Sequence, residues 1–122
     1  MLKVVALDCD CIAVSNIDWL HSDKSVKVMP VANDRHKLPK VNESTRVGVV
    51  VPVFKQSSDF YIISEISRII TDCILTKENL PIFHLVTKDS GLAAGAKYLC
   101  RKNRTQCYVH GSLRGLAIHL QT

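Results

Sequence analysis

Three aspartates stand where apolar segments begin or end. Asp8 closes the run Val4-Val5-Ala6-Leu7, and Asp59 opens a long apolar-periodic segment. Asp89 follows His84-Leu85-Val86-Thr87-Lys88. Carboxylates that converge on one place repel each other unless a cation lies between them. Hard oxygen donors suit Mg²⁺ or Mn²⁺. Such a metal lowers the pKa of bound water and steadies an in-line displacement at phosphorus. Asp10 is a fourth acid, ranked behind Asp8, that faces the same cleft or caps a loop. Each acid also has an ordinary reading. Asp59 would serve as a helix N-cap behind Ser57-Ser58, and Asp89-Ser90 as the cap of the following helix. Asp8 resists that reading, because an acid ending a buried strand needs a partner. Together at one edge, the acids favour a site.

Other residues carry less chemistry. Glu65 lies six residues after Asp59, about 240° further round a helix. It falls beside Arg68 and Asp72 and reads as a surface ion pair. The segment Gly91-Leu92-Ala93-Ala94-Gly95-Ala96-Lys97 lacks phosphate-loop spacing, and its small residues suit close helix–sheet packing. His84 falls within an expected strand and reads as a satisfied core histidine. His21, His36, His110 and His119 show no ligand spacing. Cys9, Cys11, Cys73, Cys100 and Cys107 form no CxxC pair. The last three fit apolar patterns as small core residues, and a reducing compartment is the simplest reading. Trp19, Tyr61, Tyr98 and Tyr108 are scattered, so no base-stacking platform emerges from them.

The elements that must position the acids follow from periodicity. Residues 3–7 form an apolar run suited to a strand buried on both faces. A short helix is expected over residues 15–21, with Ser15 and Asp18 as a loose capping pair. Strands follow at residues 26–31 and 47–53, with Pro52 near an end or an edge. Pro39 argues against a long helix over residues 33–40. Phe60, Ile62, Ile63, Ile66, Ile69, Ile70, Cys73 and Ile74 recur at a helical period behind Ser57-Ser58-Asp59. Residues 82–87 make a fourth strand, 90–102 a helix and 106–109 a fifth strand. A last helix carries Leu113, Leu116, Ala117 and Leu120. Strand–helix alternation implies an α/β three-layer sandwich with a central parallel sheet. Ligands then bind beyond the carboxyl ends of the strands, at a switch point.

Composition bounds the rest. The chain has 122 residues, 47% hydrophobic and 22% charged, which suits one domain spanning the whole length and excludes disorder or coiled coil. No apolar run approaches a membrane span, and the acid at position 8 comes too early for a secretory signal. A soluble cytoplasmic protein, with no membrane partner, is expected. Net charge is +5, and its distribution suggests a polyanion. After Asp89 there is no acid, while Lys97, Arg101, Lys102, Arg104 and Arg114 follow. A second basic cluster holds Arg35, His36, Lys37, Lys40 and Arg46. Phosphate contacts through such clusters release counterions; solvated loops and helix ends are an equally good account of charge alone.

Four stretches carry a family likeness: residues 4–11, residues 26–31 with Arg35-His36-Lys37-Leu38-Pro39, residues 59–69, and residues 83–92 with the turn Thr87-Lys88-Asp89-Ser90-Gly91-Leu92. In order and spacing they resemble the PIN-like nuclease superfamily, within it the small bacterial NYN/PIN-like domains. The resemblance spans roughly residues 3 to 110. It implies a parallel sheet of order 3-2-1-4-5, in which Asp8 and Asp89 meet at the switch point. It maps Asp8, Asp59 and Asp89 onto acidic metal-site positions and Asp10 onto a supporting acid. Cys11 stands where the family often has Asn. The implied activity is that of a Mg²⁺- or Mn²⁺-dependent nuclease, a ribonuclease ahead of a DNase. Arg35, Lys37, Lys40, Lys88, Arg101, Lys102 and Arg104 would then hold nucleic acid, RNA first. The alternative is a non-catalytic PIN-like module that binds nucleic acid or a protein partner, with a homo-oligomer among the options.

Overall fold

A computed structural model describes residues 2–121. The strand β1 (Lys3–Asp8) lies at the centre of a five-stranded sheet with β2 (Val26–Ala32), β5 (Val49–Val50), β6 (Ile82–Val86) and β7 (Cys107–His110). Every pairing in it is parallel. The order across the sheet is β5-β2-β1-β6-β7. These labels depart from the expected 3-2-1-4-5 because the connection after β2 holds two more strands, β3 (Lys40–Val41) and β4 (Thr45–Arg46). These pair only with each other, antiparallel. Asn42 and Glu43 turn that hairpin with φ of 53° and 65°. Neither residue carries the Gly signal that advertises a hairpin in sequence.

Helices cover both faces, because β1 alternates its contacts. Val4 and Ala6 join Met29, Val31, Phe83 and Leu85 under α2 (Ser57–Thr76) and α3 (Ser90–Lys102). Val5 and Leu7 join Ile17, Leu20 and Leu116 on the other face, under α1 (Asp18–His21) and α4 (Leu113–Gln121). These two cores make a three-layer sandwich around one sheet. No helix among the described residues is long and apolar enough to cross a membrane.

Three local expectations change. The strand expected over 47–53 shrinks to two paired residues. Gly48 before it holds φ +124°, and a Cβ there would stand 2.6 Å from the Pro30 carbonyl oxygen. Pro52 behind it has no N–H to continue the ladder. At α1, Asn16 rather than Ser15 serves the helix start, its side-chain oxygen accepting the Asp18 N–H at 2.9 Å. At α2, Gln56 takes the N-cap position in a left-handed conformation with no side-chain cap. Ser57 and Ser58 lie inside the helix and are buried. Asp59 therefore does not cap: it is the third helical residue, and its carboxyl is left for other contacts.

Candidate acidic cleft at the carboxyl edge of the sheet

Asp8 ends β1, and its neighbour Leu7 pairs with Val86 at the end of β6. That register brings Thr87 beside Asp8. The Thr87 hydroxyl donates to Asp8 Oδ2 at 2.7 Å and accepts the Asp89 N–H at 3.0 Å. Asp89 Oδ1 in turn accepts the Leu92 N–H at 3.0 Å, so the cap expected at Asp89 is present. A Cβ at Gly91 would sit 3.3 Å from that same carboxylate oxygen, so Gly leaves room for it.

Asp10 reaches across to the start of α2. The Ser58 hydroxyl donates to its Oδ2, and the Asn33 N–H donates to its Oδ1 at 2.9 Å. The Lys37 ammonium lies 3.7 Å from the same oxygen. Asp10 thus ties together the ends of β1, β2 and α2. Asp8, Asp10, Asp59 and Asp89 all line one cleft of about 340 Å³, with Phe54 and Gln56 on its rim. A second cavity of about 380 Å³ adjoins it through Gln56, Asp59 and Asp89.

The electrostatics are those of uncompensated acids. Asp8 is 2% exposed. Burial pushes its carboxyl above the ordinary range, with Asp10 and Asp89 adding to the shift against the Thr87 hydroxyl. Burial, then the charge and hydrogen bond of Asp89, push Asp59 up to about 6. The Leu92 N–H, helped by Asp59 and the Gly91 backbone, holds Asp89 below the usual carboxylate range. Of the two, Asp89 is therefore the more acidic, and Asp59 holds its proton to higher pH. Among the described residues no Lys or Arg forms an ion pair with Asp8, Asp59 or Asp89. Carboxylate oxygens are the donor type that a hard divalent cation takes. In their present arrangement, no three His, Cys, Asp or Glu among the described residues form a group that could hold a metal.

The basic residues divide. Arg35 and Lys37 lie on a short 3-10 turn, Arg35–Lys37, after β2, and Lys37 reaches the cleft through its ion pair with Asp10. Lys88 is exposed between Thr87 and Asp89, and its N–H donates to Cys11 Sγ at 3.2 Å. Lys40 lines a separate cavity of about 470 Å³ with His36 and Arg46. Arg46 is occupied within the fold, donating to the carbonyls of His36 and Leu38 at 3.1 and 2.7 Å. Arg101 and Lys102 end α3, which runs from the cleft to the opposite edge. Arg104 lines a cavity there with Ile82, the first residue of β6. Arg101, Lys102 and Arg104 are thus separated from the acids by the length of a 13-residue helix, about 20 Å.

Several expectations elsewhere hold. Arg68 bonds Glu65 Oε1 through Nε at 3.0 Å and Asp72 Oδ2 at 2.8 Å, on the surface. All five cysteines are free, and burial pushes the Cys9 thiol up to about 12. His84 is buried, with Nδ1 3.0 Å from His110 Nε2. Sequence spacing does not show that His119 and Tyr108 complete that aromatic cluster. Sequence also passes over the roles of Thr87 and Ser58, which depend on neighbours distant along the chain, and over the pairing of Phe54 with Phe60, which depends on the turn into α2. Comparison with family models, curated proteins and solved structures finds no match to this chain.

Proposed function

We propose that this chain is a metal-dependent nuclease that hydrolyses phosphodiester bonds, in RNA ahead of DNA, at the acidic cleft. The observation that supports it is the gathering of four aspartates in one cleft, three of them without a Lys or Arg ion pair among the described residues. The PIN-like resemblance of the sequence points the same way, and the protein would act in the cytoplasm, as expected from the early acid at position 8. Asp8, Asp59 and Asp89 would hold Mg²⁺ or Mn²⁺, with Asp10 as a supporting acid. Bound there, the ion would supply an activated water and charge stabilisation at phosphorus. The chain's own residues do the positioning. Thr87 orients Asp8, the Leu92 N–H orients Asp89, and Ser58 with Asn33 orients Asp10. Lys37 beside Asp10, Lys88 next to Asp89 in the chain, and Arg35 on the same turn as Lys37 would meet the backbone phosphates.

The test is cleavage of end-labelled RNA by purified protein with Mn²⁺. Wild-type protein should cleave, and Asp8→Asn should cut the rate by about 100-fold or more. Equal rates for the two, or none for the wild type, end this reading. A second reading is a non-catalytic module for nucleic acid or a protein partner. It draws on the Asp59 carboxyl, which burial and the neighbouring Asp89 push up to about 6, toward the neutral form that holds no cation.

A further inference from the structure

Two phenylalanine rings stand exposed at the mouth of the acidic cleft. Phe54 is 54% exposed and Phe60 is 62% exposed. Phe54 belongs to the turn that enters α2, where its carbonyl accepts the Ser57 N–H at 3.1 Å. Phe60 lies one helical turn on, immediately after Asp59. Their centroids are 6.4 Å apart with planes 29° apart, a stacked pair of which more than half of each residue remains exposed. Phe54 lines the cleft of the four aspartates, and Phe60 lines the adjoining cavity with Asp59 and Asp89. Gln56 lines both.

We propose that Phe54 and Phe60 form a stacking step for an unpaired nucleotide base, with the Gln56 amide at the base edge. Three observations favour a base over another occupant. The rings are close to parallel, so they present flat faces, and every base has a matching π face. An amide at the rim offers both a donor and an acceptor, as a base edge requires. The rings also continue directly into carboxylates, which disfavour a purely apolar side chain seated there. Bases inside a duplex are stacked on each other and cannot reach such rings, so the step selects single strands. The proposal rests on the nuclease reading for where the neighbouring phosphate lies, but stacking does not require cleavage.

Binding and cleavage are therefore measured separately. Labelled single-stranded oligouridine is titrated in Ca²⁺ against wild type, Phe54→Ala, Phe60→Ala and Phe60→Leu. Each change should weaken binding about 5- to 150-fold, the range for one stacked base, with the melting temperature nearly unchanged because both rings are exposed. A Trp19→Phe/Phe60→Trp double variant should keep its affinity. Its new indole should be quenched by the single strand and not by the matching duplex. Wild-type affinity in the Ala and Leu variants, no binding by the wild type, or equal quenching by duplex each overturns the proposal. So does self-association of the wild type that the Ala variants abolish without loss of RNA affinity, which would make a second copy the occupant. If the Phe variants lose binding but wild type does not cleave in Mn²⁺, stacking stands and the nuclease reading fails. If they cleave with wild-type KM, the nuclease stands and stacking fails.

Discussion

The Thr87 hydroxyl links two aspartates, donating to Asp8 Oδ2 at 2.7 Å while accepting the Asp89 N–H at 3.0 Å. Thr87 has this position because β1 and β6 are parallel neighbours in a register that ends them side by side. A buried carboxylate depends heavily on its donors. Thr87→Val keeps the shape and removes the hydroxyl. It should destabilise the protein by about 1.5–3 kcal/mol near neutral pH, read from denaturant unfolding. The loss should shrink in acid, where Asp8 is protonated and no longer needs the donor. Thr87→Ser should restore most of the stability. Equal losses for Val and Ser would place the cost in packing instead.

Divalent metal should raise the melting temperature of the wild type, since it binds the folded chain and not the unfolded one. A ligand at about 100 times its Kd contributes about 2.7 kcal/mol. Asp8→Asn should remove most of that shift while retaining the fold. Asp72→Asn should leave it intact, because Asp72 lies with Arg68 on the outer face of α2. No shift in millimolar Mn²⁺, or the same shift in both variants, would defeat the metal reading.

The raised Asp59 carboxyl makes stability depend on pH in a direction opposite to most acids. Its pKa is about 6 in the fold and about 3.9 when unfolded. Between those values the native state holds a proton that the unfolded chain releases, so stability falls as pH rises from about 4 to 6. His84, lowered to about 4 by burial and its neighbouring histidines, acts oppositely: the unfolded chain takes up a proton below about 6.5, so stability rises over an overlapping window. Asp59→Asn separates them. The metal-free variant should gain stability relative to wild type as pH rises from about 4 to about 6.5. A difference that stays flat would show that the carboxyl is not raised.

Salt dependence should distinguish the two basic regions. Lys37→Ala with Lys88→Ala should reduce the slope of log affinity for single-stranded RNA against log salt by about 1.4, at about 0.7 for each phosphate no longer neutralised. Replacing Arg101, Lys102 and Arg104 with Ala should leave the slope unchanged, because these residues lie at the far edge of the sheet. The reverse pattern would move the RNA path to the end of α3.

The legible part of the site followed from where acids stand relative to strands. Asp8 and Asp89 could be assigned to one edge because each follows an apolar run, and parallel strands share a carboxyl edge. Less visible was what each carboxyl does. Asp59 looked like a cap beside two serines, yet the left-handed Gln56 starts α2 one turn earlier and frees it. Arg101, Lys102 and Arg104 group with Lys88 among the residues expected to hold nucleic acid. Charge along a sequence, however, carries no information about which end of a helix meets which edge.

Local periodicity by itself determined the α/β alternation, the two-sided burial of β1 and the long amphipathic α2, since side-chain spacing reports directly on which faces are apolar. The separate β3–β4 hairpin, the pairing of Thr87 with Asp8 and the gathering of His84, His110 and His119 emerge only in the folded chain. Each of these depends on backbone turns with positive φ or on strand register. Such features are set by packing between segments far apart in the chain, and leave no period in the residues that make them.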